Sequence, residues 1–346
     1  MTLETAFERV TLALEHPFTI ARGTQETAET VIVRIEDEEG TTGIGAAAPS
    51  THYGETAATV EAVLPTLLDV VERVGDPHRI ERIGREMDRV VTDNPAAKAG
   101  VDIALHDLAA KRVDLPLYRY LGFDPAERIE TSYTIGIDDP ATMREKTREA
   151  LDRGFSTLKV KVGTDRDHES LAAIREVAPD ATVRVDANEA WTPREAVRRI
   201  EDLSAFDLEF VEQPVPAENP AGLGFVHERS PLPIAVDESL VRATDVPAIA
   251  DRADVATLKL MKTGGVREAL RVIHTARAHG LEVMAGCMIE SNASIAAGAH
   301  LAPALDYLDL DGSLLLERDD FAGVPLEDGR VDLGSLDRAG TGARKR

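Results

Sequence analysis

Thr182-Val183-Arg184-Val185-Asp186-Ala187-Asn188 is a short β-branched run that ends in a carboxylate. The same design returns in Phe210-Val211-Glu212-Gln213-Pro214 and again in Ala235-Val236-Asp237-Glu238-Ser239. Working outward from these three, strands are predicted at 131–137, 157–162, 182–186, 208–212, 234–237, 255–260, 282–285 and 307–310. Seven amphipathic stretches of helical length separate them, several opening on a cap or turn such as Asp138-Asp139-Pro140 or Thr192-Pro193. Eight strands joined by helical crossovers predict an α/β fold, a (β/α)7β modified TIM barrel, because no full helix follows the last strand. A doubly wound open sheet is the structural alternative. Ahead of the barrel, 31–35 and 41–47 read as a hairpin, with helices near 54–73, 79–90 and 95–112. The expected division is therefore an α+β domain over 1–125, completed by 315–346, and a barrel over 126–314. The Gly/Arg/Lys-containing tail, 338–346, is expected to fray.

Composition narrows the function. The 346 residues carry 39 Lys+Arg against 62 Asp+Glu, a formal charge of −23. Such a chain repels phosphate backbones, which argues against nucleic acid as a partner. No apolar run approaches the ~20 residues of a membrane span. The first residues lack a basic segment followed by an apolar one, so a cytoplasmic protein is expected. Cys287 is the single cysteine and makes neither an internal disulfide nor a cysteine cluster for zinc. Of the basic residues 31 are arginine and only 8 lysine. Acidity with scarce lysine predicts a halophilic protein, since high salt screens self-repulsion. An acidic protein from a GC-rich genome is the plainer reading.

Four of those lysines fall in two short segments. In Leu158-Lys159-Val160-Lys161-Val162 alternation puts the valines against helices and both lysines toward the barrel mouth. An edge strand with solvated lysines is the alternative. Asp186, Glu212 and Asp237 end adjacent strands, where carboxylates without a counter-charge would raise one another's pKa. A hard divalent cation resolves that, and oxygen donors favour Mg²⁺ over Zn²⁺. Lys259 ends the sixth strand, across the barrel from Lys161. Lys262 follows in the loop and is expected to be solvated or bound to a loop carbonyl. A cation between two lysines suits proton transfer at a carbon beside a carboxylate, with a metal-stabilised enediolate and a base on each face. In Asp309-Leu310-Asp311 both acids are aimed inward, far round from the metal carboxylates. They suit a substrate ammonium, or else cap the turn at Gly312-Ser313.

Taken together, Lys159-Val-Lys161, Asp186 with Asn188, Glu212-Gln-Pro, Asp237-Glu-Ser, Lys259 and Gly286-Cys-Met-Ile-Glu-Ser resemble the muconate-lactonizing subgroup of the enolase superfamily, over nearly the whole chain. Asp309-x-Asp311 is similar to the pair that grips the α-ammonium in dipeptide epimerases. The resemblance implies a capping domain ahead of the barrel and Mg²⁺ held by Asp186, Glu212 and Asp237. It implies Lys161 and Lys259 as acid/base catalysts, with Lys159 touching the substrate carboxylate or tuning Lys161. It makes Thr134 a substrate contact. Arg22 falls in the loop that closes over such sites, where an arginine pairs with a substrate glutamate. Its distance from the Val31 strand is a residue longer here, so a surface arginine is the alternative. The implied activity is epimerisation of a dipeptide at its C-terminal α-carbon, in a family that is often oligomeric. N-succinylamino acid racemase, o-succinylbenzoate synthase and muconate cycloisomerase share the lysines and metal site, but have no ammonium for Asp309 and Asp311. A sugar-acid dehydratase or a barrel that binds without turnover are remoter readings.

Overall fold

A computed structural model describes residues 2–125 and 129–346. The expected boundary between 125 and 126 abuts residues 126–128, which lie outside the described residues, as does Met1.

The N-terminal part is a three-stranded antiparallel sheet, β1 (Leu3–Ile20), β2 (Gly23–Asp37) and β3 (Thr42–Ala47), in that order. The second and third are the expected hairpin. β1 is not foreshadowed in the sequence, because charged and polar residues interrupt its alternation and few of its side chains are buried. It pairs with β2 from Leu3↔Asp37 down to Ile20↔Gly23, so Ala21 and Arg22 form the tip of a long ribbon.

Three helices follow, α1 (Ala57–Val74), α2 (Ile80–Val90) and α3 (Pro95–Arg112); α1 and α3 cover the sheet and α2 packs on both of them. Thr56 and Thr59 make a reciprocal capping box at the start of α1, and left-handed Gly75 ends it. Glu55 accepts from the free N–H groups of Ala96 and Ala97 at the start of α3. α3 lies directly on β3, since a Cβ at Gly43 or Gly45 would meet α3 carbonyls at 2.1 and 2.2 Å.

Eight parallel strands follow: Tyr133–Ile135, Thr157–Lys161, Thr182–Asp186, Leu208–Glu212, Ile234–Val236, Val255–Lys259, Glu282–Gly286 and Tyr307–Asp309. They run in sequence order round the sheet. A parallel bridge from Thr131 to Leu308 joins the last strand to the first, which makes the barrel rather than the open sheet. Outward Val160, Val183, Val211 and Val236 pack on the crossover helices. Inside, Phe210, Ala235, Val255 and Met284 fill the base. Arg184 sits there too, 5.1 and 5.0 Å from the rings of Phe210 and Tyr307, with Nη1 donating to Leu308 O.

The tail is held, not frayed. Gly340 O accepts from Leu117 N, and Asp107 accepts from Thr341 N at 2.7 Å. Arg344–Lys345 pairs with Phe321–Ala322. Buried acceptors elsewhere in the fold supply what a local reading of a polar tail omits.

Candidate active site

Register builds the site tier by tier. Lys161 pairs with Asp186, and Asp186 with Glu212, so the ends of the second, third and fourth strands lie level. Lys259 pairs with Gly286 and Gly286 with Asp309 on the far side. The second and sixth strands are four places apart among eight, which sets Lys161 and Lys259 half-way round from each other. Both lysines line one cavity of about 610 Å³, together with Thr134, Lys159, Asp237, Asp309 and Asp311. Arg22, His52 and Tyr53 line its outer part, contributed by the N-terminal sheet and the loop after β3.

The carboxylates at the centre are almost wholly buried. Asp186 and Glu212 are inaccessible and Asp237 nearly so. Lys161 Nζ lies 2.6 Å from Asp186 Oδ2, and Lys259 Nζ 2.9 Å from Asp237 Oδ2. Lys159 Nζ sits among Asp186, Glu212 and Asp309 at 3.2, 2.8 and 2.8 Å. Strand eight is therefore not remote from the metal carboxylates: closure through Thr131 places it one strand from Thr134 and two from Lys159, and one ammonium bridges them. Burial alone would depress the Lys159 ammonium, but the Asp309, Glu212 and Asp186 charges outweigh it and raise its pKa well above the ordinary value. At Lys259 burial would likewise lower the pKa, but the Asp237 charge outweighs it and the pKa is also raised. Burial pushes Glu212 up to about 7, with the Lys159 charge opposing.

These donors fit a hard cation. Both oxygens of Glu212 are buried without a hydrogen bond, as are Asn188 Oδ1 and Glu238 Oε2. Lys159 is near enough to Glu212 Oε2 for an ion pair but off the line of a hydrogen bond. Orphaned carboxylate oxygens at the level of Asp186 and Asp237 form the all-oxygen set that Mg²⁺ takes. A second grouping, His52, Glu189 and Glu238, brings its ligand atoms within 4.8 Å of one another. Arg22 already occupies it: Nη1 donates to Glu238 Oε1 at 2.7 Å, to Asn188 O at 3.1 Å and to Glu189 Oε2 at 3.2 Å. The ribbon tip is thus fastened to the barrel rim by an arginine that is more than a simple surface residue.

Asp309 and Asp311 do not cap the turn that follows them. Asp309 accepts from Ser132 Oγ at 2.5 Å and from Lys159, while Asp311 accepts from the Thr134 backbone N–H at 2.6 Å. Burial and its neighbour Asp309 push Asp311 up to about 6. Asp309 goes the other way: burial would raise it, but Lys159 holds it below the usual range.

Lys262 is not solvated. It is fully buried and donates to the carbonyls of Asp237, Leu240 and Thr257 and to Asp237 Oδ1. The loop carbonyls are as expected; the carboxylate partner is not, because the chain turns into a short helix, Leu260–Thr263, directly after Lys259. Gln213 is a further residue of the site, one that the strand pattern does not mark. Its Oε1 accepts from Asp237 N and Ser239 N, both at 3.0 Å, from a left-handed backbone (φ 36°). A polar residue directly after a strand-end carboxylate was the available signal. His274 and His279 are exposed.

Residues 3–122 match the mandelate racemase / muconate lactonizing enzyme N-terminal domain, and 142–344 match the enolase C-terminal domain-like family. The chain belongs to the enolase superfamily. Among superfamily members, an L-Ala-D/L-Glu epimerase from Bacteroides thetaiotaomicron is 41% identical over 327 residues, covering 94% of this chain and 84% of the relative. A hydrophobic dipeptide epimerase from Enterococcus faecalis is 41% identical over 323 residues, covering 88% and 89%. A crystal structure of dipeptide epimerase from Enterococcus faecalis V583, complexed with Mg and L-Leu-L-Tyr, superposes with a TM-score of 0.90 at 38% identity, covering 99% of each chain. The superfamily barrel and its N-terminal domain are thus both present here.

Proposed function

We propose that the protein is a Mg²⁺-dependent isomerase that inverts the α-carbon of the C-terminal residue of a dipeptide by 1,1-proton transfer. The observation that carries this is the pair of lysines half-way round one cavity, with the buried carboxylates between them. Asp186, Glu212 and Asp237 would hold Mg²⁺, which would neutralise their charge and polarise a bound substrate carboxylate. Lys161 and Lys259 then work from opposite faces. Beside that cation the lysine pKa would fall from the raised value that Lys259 has against Asp237 alone. A neutral amine on one side can then take the α-proton, and the ammonium opposite returns a proton to the other face of the same carbon. The roles exchange in the reverse direction, so one site serves both diastereomers.

Asp311 supports a dipeptide over an N-acylated amino acid. Asp309 has Lys159 as counter-charge, whereas no ammonium pairs with Asp311 among the described residues. A substrate ammonium would supply that charge and favour the ionised carboxylate. Thr134 lies beside Asp311, and Lys159 ties the ammonium end of the cavity to the carboxylate end. In this reading 1–125 and 315–346 form the cap, 126–314 form the catalytic barrel, and Arg22 fastens the lid.

The charge of −23 with 8 lysines supports a halophilic enzyme. No helix among the described residues is long and apolar enough to cross a membrane. The test is proton NMR in D₂O with Mg²⁺ and molar KCl on a set of L,L-dipeptides. Growth of the L,D diastereomer, faster at high KCl, is expected. Absence of α-exchange in every dipeptide, with folded protein and bound Mg²⁺, would end the reading.

A further inference from the structure

Asp237 is held differently from the other two central carboxylates. Lys161 and Lys159 approach Asp186 Oδ2 from within the cavity, and Lys159 alone approaches Glu212. Asp237 has a lysine on each oxygen. Lys259, in the cavity lining, lies 2.9 Å from Oδ2, and Lys262, outside that lining, lies 2.5 Å from Oδ1. Lys262 is inaccessible, and its Nζ also meets Asp237 O at 2.5 Å, Leu240 O at 2.9 Å and Thr257 O at 3.2 Å. Every proton of that ammonium is engaged, so it is a fixed buried charge and cannot swing into the cavity.

A fully buried ammonium is costly to keep unless its position serves something an apolar side chain would not. Two constraints follow from its partners. With Oδ1 claimed from behind, the Asp237 carboxylate cannot rotate, and Oδ2 is the oxygen it offers to the cavity. Leu240 O and Thr257 O belong to the loop after the fifth strand and to the sixth strand. One ammonium therefore clamps both at the level where Lys259, two residues beyond Thr257, emerges.

We infer that Lys262 is a positioning residue for the base on one face: it locks Asp237 so that a single oxygen faces the cavity and fixes Lys259 relative to it, leaving Lys161 unaffected. The inference rests on the two-face proton transfer proposed above and adds a one-sided dependence to it.

The experiment compares wild type with Lys262→Met, a chain of similar length without charge. Three readouts are taken: circular dichroism melting, Mg²⁺ calorimetry without substrate, and α-proton exchange in D₂O for each dipeptide diastereomer separately. In the variant, exchange of the α-proton that faces Lys259, and inversion with it, falls by at least ~100-fold, the scale of an ångström-sized misplacement. Exchange at the face served by Lys161 stays within about threefold, since one intact base returns a deuteron to the face it deprotonated. Mg²⁺ binds at least as tightly, because a positive charge has left the neighbourhood of a ligand.

A parallel loss on both faces, no loss on either, or weakened Mg²⁺ binding would overturn the inference. Lys262→Gln keeps a donor for the loop carbonyls and carries the same comparison if the methionine variant does not fold. Failure of both to fold would assign Lys262 to the scaffold and equally overturn it. Wild-type protein that exchanges neither proton would sink the epimerase reading instead, while the calorimetry would still decide how Asp237 is held.

Discussion

Lys159-Val-Lys161 and Lys259-Leu-Met-Lys262 each place two lysines at the end of a barrel strand, yet the pairs behave differently. In the second strand the backbone stays extended through Lys161, so both side chains at i and i+2 enter the cavity. In the sixth strand the extended backbone stops at Lys259 and a helical turn begins at Leu260. Lys259 enters the cavity, and Lys262 swings behind it into a nest of carbonyls. Residue spacing alone does not distinguish the two pairs; where the strand ends does. One pair works entirely from the front of the site, the other from front and back.

The largest effect tests the two front lysines. Lys161→Ala and Lys259→Ala should each reduce inversion by roughly 10³-fold or more, the range of a general acid/base group. Each variant should still exchange the α-proton of one diastereomer, and not the same one, when followed by NMR in D₂O. Loss of exchange from both diastereomers in either variant would mean that the bases do not act on separate faces.

The next effect concerns the far end of the second-strand pair, where Lys159 reaches Asp309. Asp311→Asn should raise KM for dipeptides about 10- to 100-fold, the loss of a charge-assisted contact, with kcat changed less. N-acyl amino acids, lacking the ammonium, should show no such change. An equal penalty on both substrate classes would return Asp311 to a purely structural role beside Thr134.

A smaller effect sharpens the sixth-strand side. A Cβ at Gly286 would lie 3.1 Å from Lys259 Cε. Gly286→Ala should displace that side chain by a few tenths of an ångström and lower kcat by about tenfold. Mg²⁺ affinity measured by calorimetry should stay at the wild-type value.

A separate effect, on stability and not on rate, lies outside both pairs, where His300 joins the tail to the helix that follows α3. His300 is buried, with Nδ1 accepting from Tyr118 N and Nε2 donating to Thr341 O, each at 3.0 Å. Burial holds it down to about 4 from an ordinary 6.5. As the pH falls through 6.5 the unfolded chain takes up a proton that the folded chain refuses until about 4. Stability from this residue is therefore present above 6.5, and on the order of 3 kcal/mol is lost on the way down to 4. Melting of His300→Gln should show a shallower pH dependence than wild type across that window.

The barrel was legible because its inner and outer faces leave a direct pattern in sequence. The strands at 182–186 and 208–212 end where the alternation of apolar residues meets a carboxylate, and the structure ends them there too. The inward lysines of the second strand followed from the same alternation. What was not legible depends on distant partners. β1 is a solvent-exposed edge whose pairing with β2 is not written in its own alternation. Arg22 finds Glu238, 216 residues away, only once the ribbon folds over the rim. Lys262 and the tail are satisfied by carbonyls and by Asp107, which no local pattern announces.

The central claim is that one base acts on each face of a single carbon. It is tested most directly by the isotope content of the first product formed from a protiated dipeptide in D₂O, with wild-type enzyme and Mg²⁺. The account predicts that the inverted diastereomer carries deuterium at its α-carbon from the first turnovers, because its proton comes from the opposite, solvent-equilibrated lysine. Early product that retains the substrate's own proton would show that a single group carries it from one face to the other, and would contradict the account.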